Sequence, residues 1–204
     1  MRGRLQPGPH SGECGYRGDV TYLWEPRMRV LITAERIQDR LSQLARLIGP
    51  DYHERPLTIV GVLTGSVMFL ADLVRRLDIP LRIGLIQASS YRGAATTPGK
   101  LHVGADLLAE VRDRHVLLLD DILDTGQTLQ HLVQHLHQQG ALSVKVCVLL
   151  RKQGRQIHDV HIDYVGFEIE NQFVVGYGLD FAERYRNLPF VGVLRPEIYA
   201  EAPH

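Results

Sequence analysis

The chain has 204 residues, of which 45% are hydrophobic and 23% are charged, with 23 Lys and Arg against 23 Asp and Glu. This is the composition of a globular protein, and a zero net charge offers no general attraction to nucleic acid or to an anionic membrane surface. Two cysteines are too few for a disulfide framework or a cysteine-built zinc site, and no apolar stretch reaches the roughly 18 residues of a membrane span. We therefore expect a cytoplasmic protein without nucleic-acid or membrane partners.

The N-terminal segment differs from the rest of the chain. Residues 1–27 contain five glycines and three prolines without any hydrophobic period, which predicts a disordered leader. Residues 28–204 are predicted to form a single domain with a core at about 33–150 and a small C-terminal lobe at about 151–204.

Helical and strand-like patterns alternate through the core. The predicted strands are 57–63, 81–88, 116–119 and 144–150, and the predicted helices are 33–48, 66–77 and 129–136. This order predicts right-handed βαβ units and an α/β fold with a mainly parallel sheet flanked by helices. From residue 162 onward, short β-like runs and turns predict the small lobe. Between the second and third strands, residues 89–99 have no regular period and predict a functional or disordered loop.

The most informative stretch is residues 116–128 (VLLLDDILDTGQT), in which a buried strand leads through an acidic turn into a helix. Ligands of open α/β sheets bind at the carboxyl ends of the strands, and backbone N–H groups at a helix N-terminus suit a phosphate. The acids Asp120, Asp121 and Asp124 would repel a phosphate unless they bind hydroxyls, a metal or a proton. The turn therefore predicts a ligand with both a phosphate and a polyol, and Gly126 permits the backbone to approach it closely.

The acidic turn has two other interpretations. In the first, Asp124 is only an N-cap; three acids and two threonines after an apolar strand argue against it. In the second, the DDxxD pattern binds magnesium diphosphate as in helical isoprenoid synthases; that motif needs a preceding helix and a second acidic cluster, whereas a β-rich run precedes it here.

The stretch resembles the 5-phosphoribosyl 1-diphosphate (PRPP) motif of type I phosphoribosyltransferases. Ser90-Tyr91, Lys152, residues 164–169 (YVGFEI) and residues 173–180 (FVVGYGLD) narrow the resemblance to the hypoxanthine-guanine phosphoribosyltransferases. It covers roughly residues 57–194. The resemblance implies PRPP and 6-oxopurine bases as substrates, IMP or GMP as products, Mg²⁺ as cofactor, and a homodimer or homotetramer.

The resemblance also implies a role for each matching residue. Asp124 is the catalytic base near purine N7. The residues that bind PRPP are Leu63, Thr64, Gly65, Asp120, Asp121, Thr125, Gly126, Gln127, Thr128 and Arg186. The purine is bound by Lys152, Phe173, Val174 and Asp180, and the metal by Asp120, Asp121 and Asp180. Ser90 and Tyr91 belong to a lid.

The match to the family has one further segment and two departures. The segment 63–65 corresponds to the pyrophosphate loop, which in the family often has a non-proline cis peptide. Relatives often have Lys or Arg at the position of Thr64, and usually Glu at the position of Asp120. A catalytically silent sensor of PRPP or nucleotide and a xanthine-preferring enzyme remain the alternatives. The sensor class usually adds a DNA-binding segment or a basic face, neither of which the sequence provides.

Overall fold

The computed structural model describes residues 28–90, 101–104 and 110–200. The strands are β1 (Met28–Ile32), β2 (Leu57–Leu63), β3 (Leu81–Ser90), β4 (Leu101–Gly104), β5 (His115–Leu123), β6 (Ser143–Lys152), β7 (Tyr164–Ile169), β8 (Val174–Val175) and β9 (Val191–Leu194). The helices are α1 (Ala34–Asp51), α2 (Val67–Val74), α3 (Gln127–Gln138) and α4 (Pro196–Ala200). The predicted leader lies outside the described residues. Within them, no helix combines the length and the apolar character needed to cross a bilayer.

The larger sheet has six strands in the order β4-β3-β2-β5-β6-β7. Strands β3, β2, β5, β6 and β7 run parallel, and β4 is antiparallel to β3. This confirms the predicted α/β fold with a mainly parallel sheet. Because the strands are parallel, the carboxyl ends of β2, β5 and β6 lie along one edge, which we call the carboxyl edge.

Helices cover both faces of this sheet. On one face, Ile37 of α1 and Phe69 of α2 pack in the same apolar cluster as Ile59 of β2. On the other face, Leu129 of α3 packs in a cluster with Val60 of β2. A strand buried on both faces needs apolar residues without alternation, which explains the continuous run of residues 57–63.

Helix α1 illustrates how local sequence fixes an element. Thr33 is its N-cap, with the hydroxyl accepting a hydrogen bond from the Arg36 N–H at 3.3 Å, as expected for threonine at this position. The predicted end at residue 48 is three residues early: Pro50 lies in the last turn of the helix, which ends at Asp51.

The predicted boundary of the small lobe is wrong in two respects. Strand β7, which was assigned to the lobe, pairs in parallel with β6 and extends the larger sheet. The smaller sheet has the order β1-β9-β8, so the N-terminal strand β1 completes it by pairing antiparallel with β9. Apolar patterning over single segments carries no information about such long-range pairing.

The strands are also longer than predicted at the carboxyl edge. Strand β5 continues past Leu119 through both acids to Leu123, and Asp120 still pairs with Val148 of β6. Strand β6 likewise continues to Lys152, which pairs with Ile169. Backbone pairing persists where the side chains become polar, so the first polar side chains at this edge are held by regular structure.

Candidate active site

The first two acids of the motif form a pair at the end of β5. Asp120 is 9% exposed, and its Oδ1 accepts a hydrogen bond from the backbone N–H of Asp121 at 3.1 Å. Burial and the neighbouring charge of Asp121 raise the pKa of Asp120 well above the usual aspartate range. Burial also raises the pKa of Asp121, against the opposing effect of its hydrogen bonds and of Arg186. Two carboxyls this close, one buried and one half-buried, favour a proton, hydroxyl groups or a cation over a second anion.

The segment 63–65 lies directly against this pair. A Cβ on Gly65 would be 1.6 Å from Oδ2 of Asp121, so any other residue here would displace the Asp121 carboxylate. The peptide bond between Leu63 and Thr64 is cis, which confirms the cis peptide expected from the resemblance. The side chain of Thr64 is exposed.

The turn from Thr125 to Thr128 leads into α3. The N-cap of α3 is Gly126, with a φ of 87° and no side-chain capping bond, so the alternative in which Asp124 serves as the N-cap is wrong. The turn is braced from outside, because the Thr125 carbonyl accepts hydrogen bonds from the N–H groups of Ile157 and His158, each at 3.0 Å. The first-turn N–H groups of α3, at Gln127 and Thr128, have no acceptors within the helix.

Asp124 is held by two cations. Lys152 Nζ lies 3.3 Å from its Oδ2, and Nε of Arg155 donates to its Oδ1 at 2.8 Å. Burial raises the pKa of Asp124, but the hydrogen bond from Arg155 and the charge of Lys152 outweigh this effect and lower it below the usual value. The carboxylate is therefore ionised at neutral pH and can accept a proton or a hydrogen bond.

The residues matched to the purine come from the end of β6 and from the segment that enters β8. Lys152 ends β6, and its side chain is 14% exposed. Phe173 is 41% exposed and meets Phe181 edge to face, with ring centroids 5.6 Å apart and planes at 87°. Val174 is buried at the start of β8. An exposed aromatic ring can stack on a flat ligand, and a largely buried ammonium group can donate a hydrogen bond to one.

Asp180 and Arg186 form an ion pair of 2.9 Å between Oδ1 and a terminal guanidinium nitrogen. The second carboxylate oxygen of Asp180 accepts a hydrogen bond from the Glu183 N–H at 3.0 Å, and Arg186 also donates to the carbonyl of Gly178 at 2.8 Å. Both side chains are thus fixed by neighbouring turns. The structure does not bring Asp180 into a cluster with Asp120 and Asp121: among the described residues, no three His, Cys, Asp or Glu side chains are arranged to hold a metal.

The remaining matched residues belong to the predicted lid. Ser90 is the last residue of β3. Tyr91 and the rest of the loop to Gly99 lie outside the described residues.

Sequence reasoning missed two contributors at this edge. Arg155 contacts Asp124 although 31 positions separate them, and no local pattern reports such a contact. Gly178 packs so closely that a Cβ on it would lie 1.9 Å from the Gly65 carbonyl oxygen. The two glycines of the GYG sequence at 176–178 were the available signal for this contact, because paired glycines often mark a close backbone approach.

Comparison with known proteins gives the family. Residues 32–182, more than half of the chain, match the family model described as the phosphoribosyl transferase domain. The chain belongs to this family. Within it, the chain is 42% identical over 172 residues to the hypoxanthine-guanine phosphoribosyltransferase of Staphylococcus epidermidis, covering 84% of this chain and 96% of that protein.

Two further phosphoribosyl transferase relatives extend the comparison. The chain is 43% identical over 173 residues to the bifunctional protein TilS/HprT of Listeria monocytogenes, a match that takes in 85% of this chain but only 27% of that longer protein. The crystal structure of a hypoxanthine phosphoribosyltransferase from Staphylococcus aureus superimposes with a TM-score of 0.82 at 38% identity, covering 89% of this chain and 99% of that one.

Proposed function

We propose that this protein transfers the 5-phosphoribosyl group from PRPP to hypoxanthine or guanine, giving IMP or GMP and pyrophosphate. Purine N9 forms the bond to the ribose C1 atom as the bond from C1 to the pyrophosphate oxygen breaks. The observation that carries the proposal is Asp124, an ionised carboxylate beside Lys152 at the carboxyl edge of a phosphoribosyl transferase. The named activities of the relatives support the choice of purine substrates.

Asp124 is the catalytic residue of this proposal. Its carboxylate accepts the imidazole proton of the purine at N7 while N9 attacks, and its negative charge stabilises the positive charge that develops on the ribose. The contact with Arg155 keeps the carboxylate ionised and restrains its orientation.

Asp120 and Asp121 hold the ribose hydroxyls, directly or through Mg²⁺. Hard carboxylate oxygens suit this ion, which proteins commonly bind through one or two carboxylates together with substrate phosphates. The raised pKa values of Asp120 and Asp121 indicate that their negative charges lack full compensation, which a cation or hydroxyl donors would supply. When bound, Mg²⁺ supplies neutralisation of charge on the pyrophosphate. We do not assign Asp180 to this ion, because Arg186 and the Glu183 N–H engage its oxygens and it does not join the pair.

The phosphates are bound by the two loops of the carboxyl edge. The turn from Thr125 to Thr128 binds the 5-phosphate through N–H groups, hydroxyls and the positive end of α3. Leu63, Thr64 and Gly65 bind the pyrophosphate through backbone amides, which makes a cationic side chain at position 64 unnecessary. Arg186 contributes a planar donor that matches this anion.

The purine is bound by residues other than those that bind the phosphates. Phe173 stacks on the ring, the backbone of Val174 reads its 2-position edge, and Lys152 donates to the 6-oxo group. Ser90 and Tyr91 belong to a lid that excludes water from the reacting carbon. We further propose a homodimer or homotetramer, which light scattering of the intact chain tests.

The deciding experiment is nucleotide formation with Mg²⁺ and PRPP across hypoxanthine, guanine, xanthine and adenine. We expect IMP and GMP, each formed with one equivalent of pyrophosphate. Preferential use of xanthine would replace the substrate assignment but keep the reaction. Nucleotide formation from none of the bases, with PRPP still bound, would contradict the enzyme and favour a sensor.

A further inference from the structure

A partly buried hydrogen bond connects the C-terminal lobe to helix α2. The hydroxyl of Tyr177 donates to Oδ2 of Asp72 at 2.7 Å, and Tyr177 is 4% exposed. Asp72 is itself anchored: Gln38 donates to the same oxygen at 3.2 Å, Arg75 pairs with the other oxygen, and Arg76 donates to its carbonyl at 2.6 Å. The acceptor is therefore fixed to both α1 and α2.

The backbone around Tyr177 is unusual. Gly176, Tyr177 and Gly178 have φ values of 96°, 49° and 103°, so three successive residues are left-handed and the middle one carries a large side chain. A left-handed conformation costs a non-glycine residue free energy and persists only where its surroundings impose it. Hydrogen bonds from the Tyr177 and Gly178 N–H groups to Leu188 and Arg186, at 2.8 and 2.9 Å, and the hydroxyl bond to Asp72 supply that restraint.

The adjacent residue touches the pyrophosphate loop. Gly178 approaches the Gly65 carbonyl so closely that no Cβ would fit, and Gly65 is packed in the same way against Asp121. Helix α2 begins immediately after this loop, where the buried Ser66 hydroxyl donates to the Val62 carbonyl at 2.6 Å. Tyr177 and Gly178 therefore contact the two ends of one unit, formed by the loop and α2.

The same turn orients Arg186, whose guanidinium donates to the Gly178 carbonyl at 2.8 Å. By contrast, the segment assigned to the purine is held separately. Val174 pairs with Val193 of β9, and the Phe173 carbonyl accepts a hydrogen bond from the Leu194 N–H at 3.1 Å. Loss of the Tyr177 hydrogen bond should therefore displace the residues assigned to pyrophosphate more than those assigned to the purine.

We propose that Asp72 and Tyr177 are positioning residues that clamp the lobe onto the pyrophosphate loop and so set the affinity for PRPP. The inference rests on the proposed function. Neither side chain contacts a substrate in this account; both act through Gly178, Gly65 and Arg186. The competing explanation is that the bond only satisfies a buried hydroxyl and contributes to stability alone.

A second tyrosine–aspartate pair provides a matched control. Tyr164 is 8% exposed and donates to Asp51, at the opposite edge of the sheet from the site. Tyr177→Phe and Tyr164→Phe each remove one hydroxyl from one such bond. We expect both variants to melt at lower temperature, and only Tyr177→Phe to raise the KM for PRPP, by about three- to tenfold, with the KM for hypoxanthine little changed.

Further variants separate position from folding. Asp72→Asn keeps an oxygen acceptor for Tyr177 and should retain a near wild-type KM for PRPP. Asp72→Ala also removes the contacts with Gln38 and Arg75, which should lower its melting temperature further. On the KM for PRPP it should reproduce Tyr177→Phe, and the double variant should be no worse than either single variant, because both remove the bond between Tyr177 and Asp72. Additive effects of the two substitutions on this KM would overturn the clamp.

Hydrogen exchange measures the clamp without catalysis. In Tyr177→Phe, the amides of residues 63–66 and 176–186 should exchange faster than in the wild type and in Tyr164→Phe. Unchanged exchange at 63–66 and an unchanged KM for PRPP in an active Tyr177→Phe protein would overturn the inference and leave the proposed function standing. A wild-type protein that forms no nucleotide would contradict the proposed function, and the exchange rates alone would then decide whether the clamp exists.

Discussion

Arg155 donates from Nε to Oδ1 of Asp124 at 2.8 Å, on the carboxylate that the proposed reaction uses as its base. Since the arginine favours the charged form, removing it should raise the pKa of Asp124. A base must be deprotonated, so in Arg155→Gln the acid limb of the kcat/KM profile should move to higher pH. The profile with hypoxanthine measures this shift. Arg151→Gln, which instead breaks a pair with Glu168, is the charge-matched control; equal shifts in both variants would assign the effect to net charge.

The hydrogen-bond donors of Lys152 determine which purine the site accepts. Its ammonium group has only N–H donors, so it pairs with a 6-oxo group, whereas adenine presents an amino group at that edge. Sites built on such pairing can discriminate by about 10⁴–10⁵-fold, so adenine should be nearly inert. Lys152→Gln offers both a donor and an acceptor. It should reduce the ratio of kcat/KM for hypoxanthine to kcat/KM for adenine, mainly by lowering the value for hypoxanthine. Comparable kcat/KM values for adenine and hypoxanthine in the wild type would be incompatible with this assignment.

The close contact of Gly178 with Gly65 predicts a position-specific effect of alanine. Gly154 is also left-handed, with a φ of 68°, but a Cβ there would have no neighbour within 4 Å. Gly154→Ala should therefore cost only the conformational strain of roughly 1–2 kcal/mol. Gly178→Ala adds a collision with backbone and should lose much more stability and most PRPP affinity. Urea unfolding and PRPP titration compare the two variants; equal losses would mean that the backbones are not in firm contact.

The acid stability of the fold should depend in part on Asp51. The hydrogen bond from Lys145 Nζ, at 2.6 Å, and that from Tyr164 lower the pKa of Asp51 in the folded protein. A lowered folded pKa gives stability that is complete above the unfolded value of about 3.9 and is lost as pH falls through the folded value. Asp51→Asn should lower Tm near neutral pH and flatten its decline below about pH 4. If Tm falls equally with pH in the wild type and in Asp51→Asn, Asp51 does not contribute to the acid stability.

Sequence patterning predicted the parts of the fold that depend on local burial. The continuous apolar runs of β2 and β5 reflect strands covered on both faces. Pairing between distant segments was not predictable in this way. Neither the antiparallel addition of β4 to β3 nor the pairing of β1 with β9 leaves a periodic signal within its own segment.

The site shows the same division. The acidic turn and the segment 63–65 were recognisable because their residues are contiguous, and the structure brings Asp121 and Gly65 into contact. The contacts of Arg155 with Asp124 and of Tyr177 with Asp72 join residues 31 and 105 positions apart. Each depends on where a turn packs against a part of the chain that is distant in sequence, which is set by the packing of whole elements.

The most direct test of the central claim compares the wild type with Asp124→Asn in IMP formation from hypoxanthine and saturating PRPP with Mg²⁺. The asparagine keeps the size of the side chain but removes the charge and the basic site. We predict that the wild type forms IMP and pyrophosphate in equal amounts, and that the variant loses about 10²–10⁴-fold in kcat while binding PRPP almost unchanged. A wild type that forms no IMP, or a variant that turns over as fast as the wild type, would contradict the account.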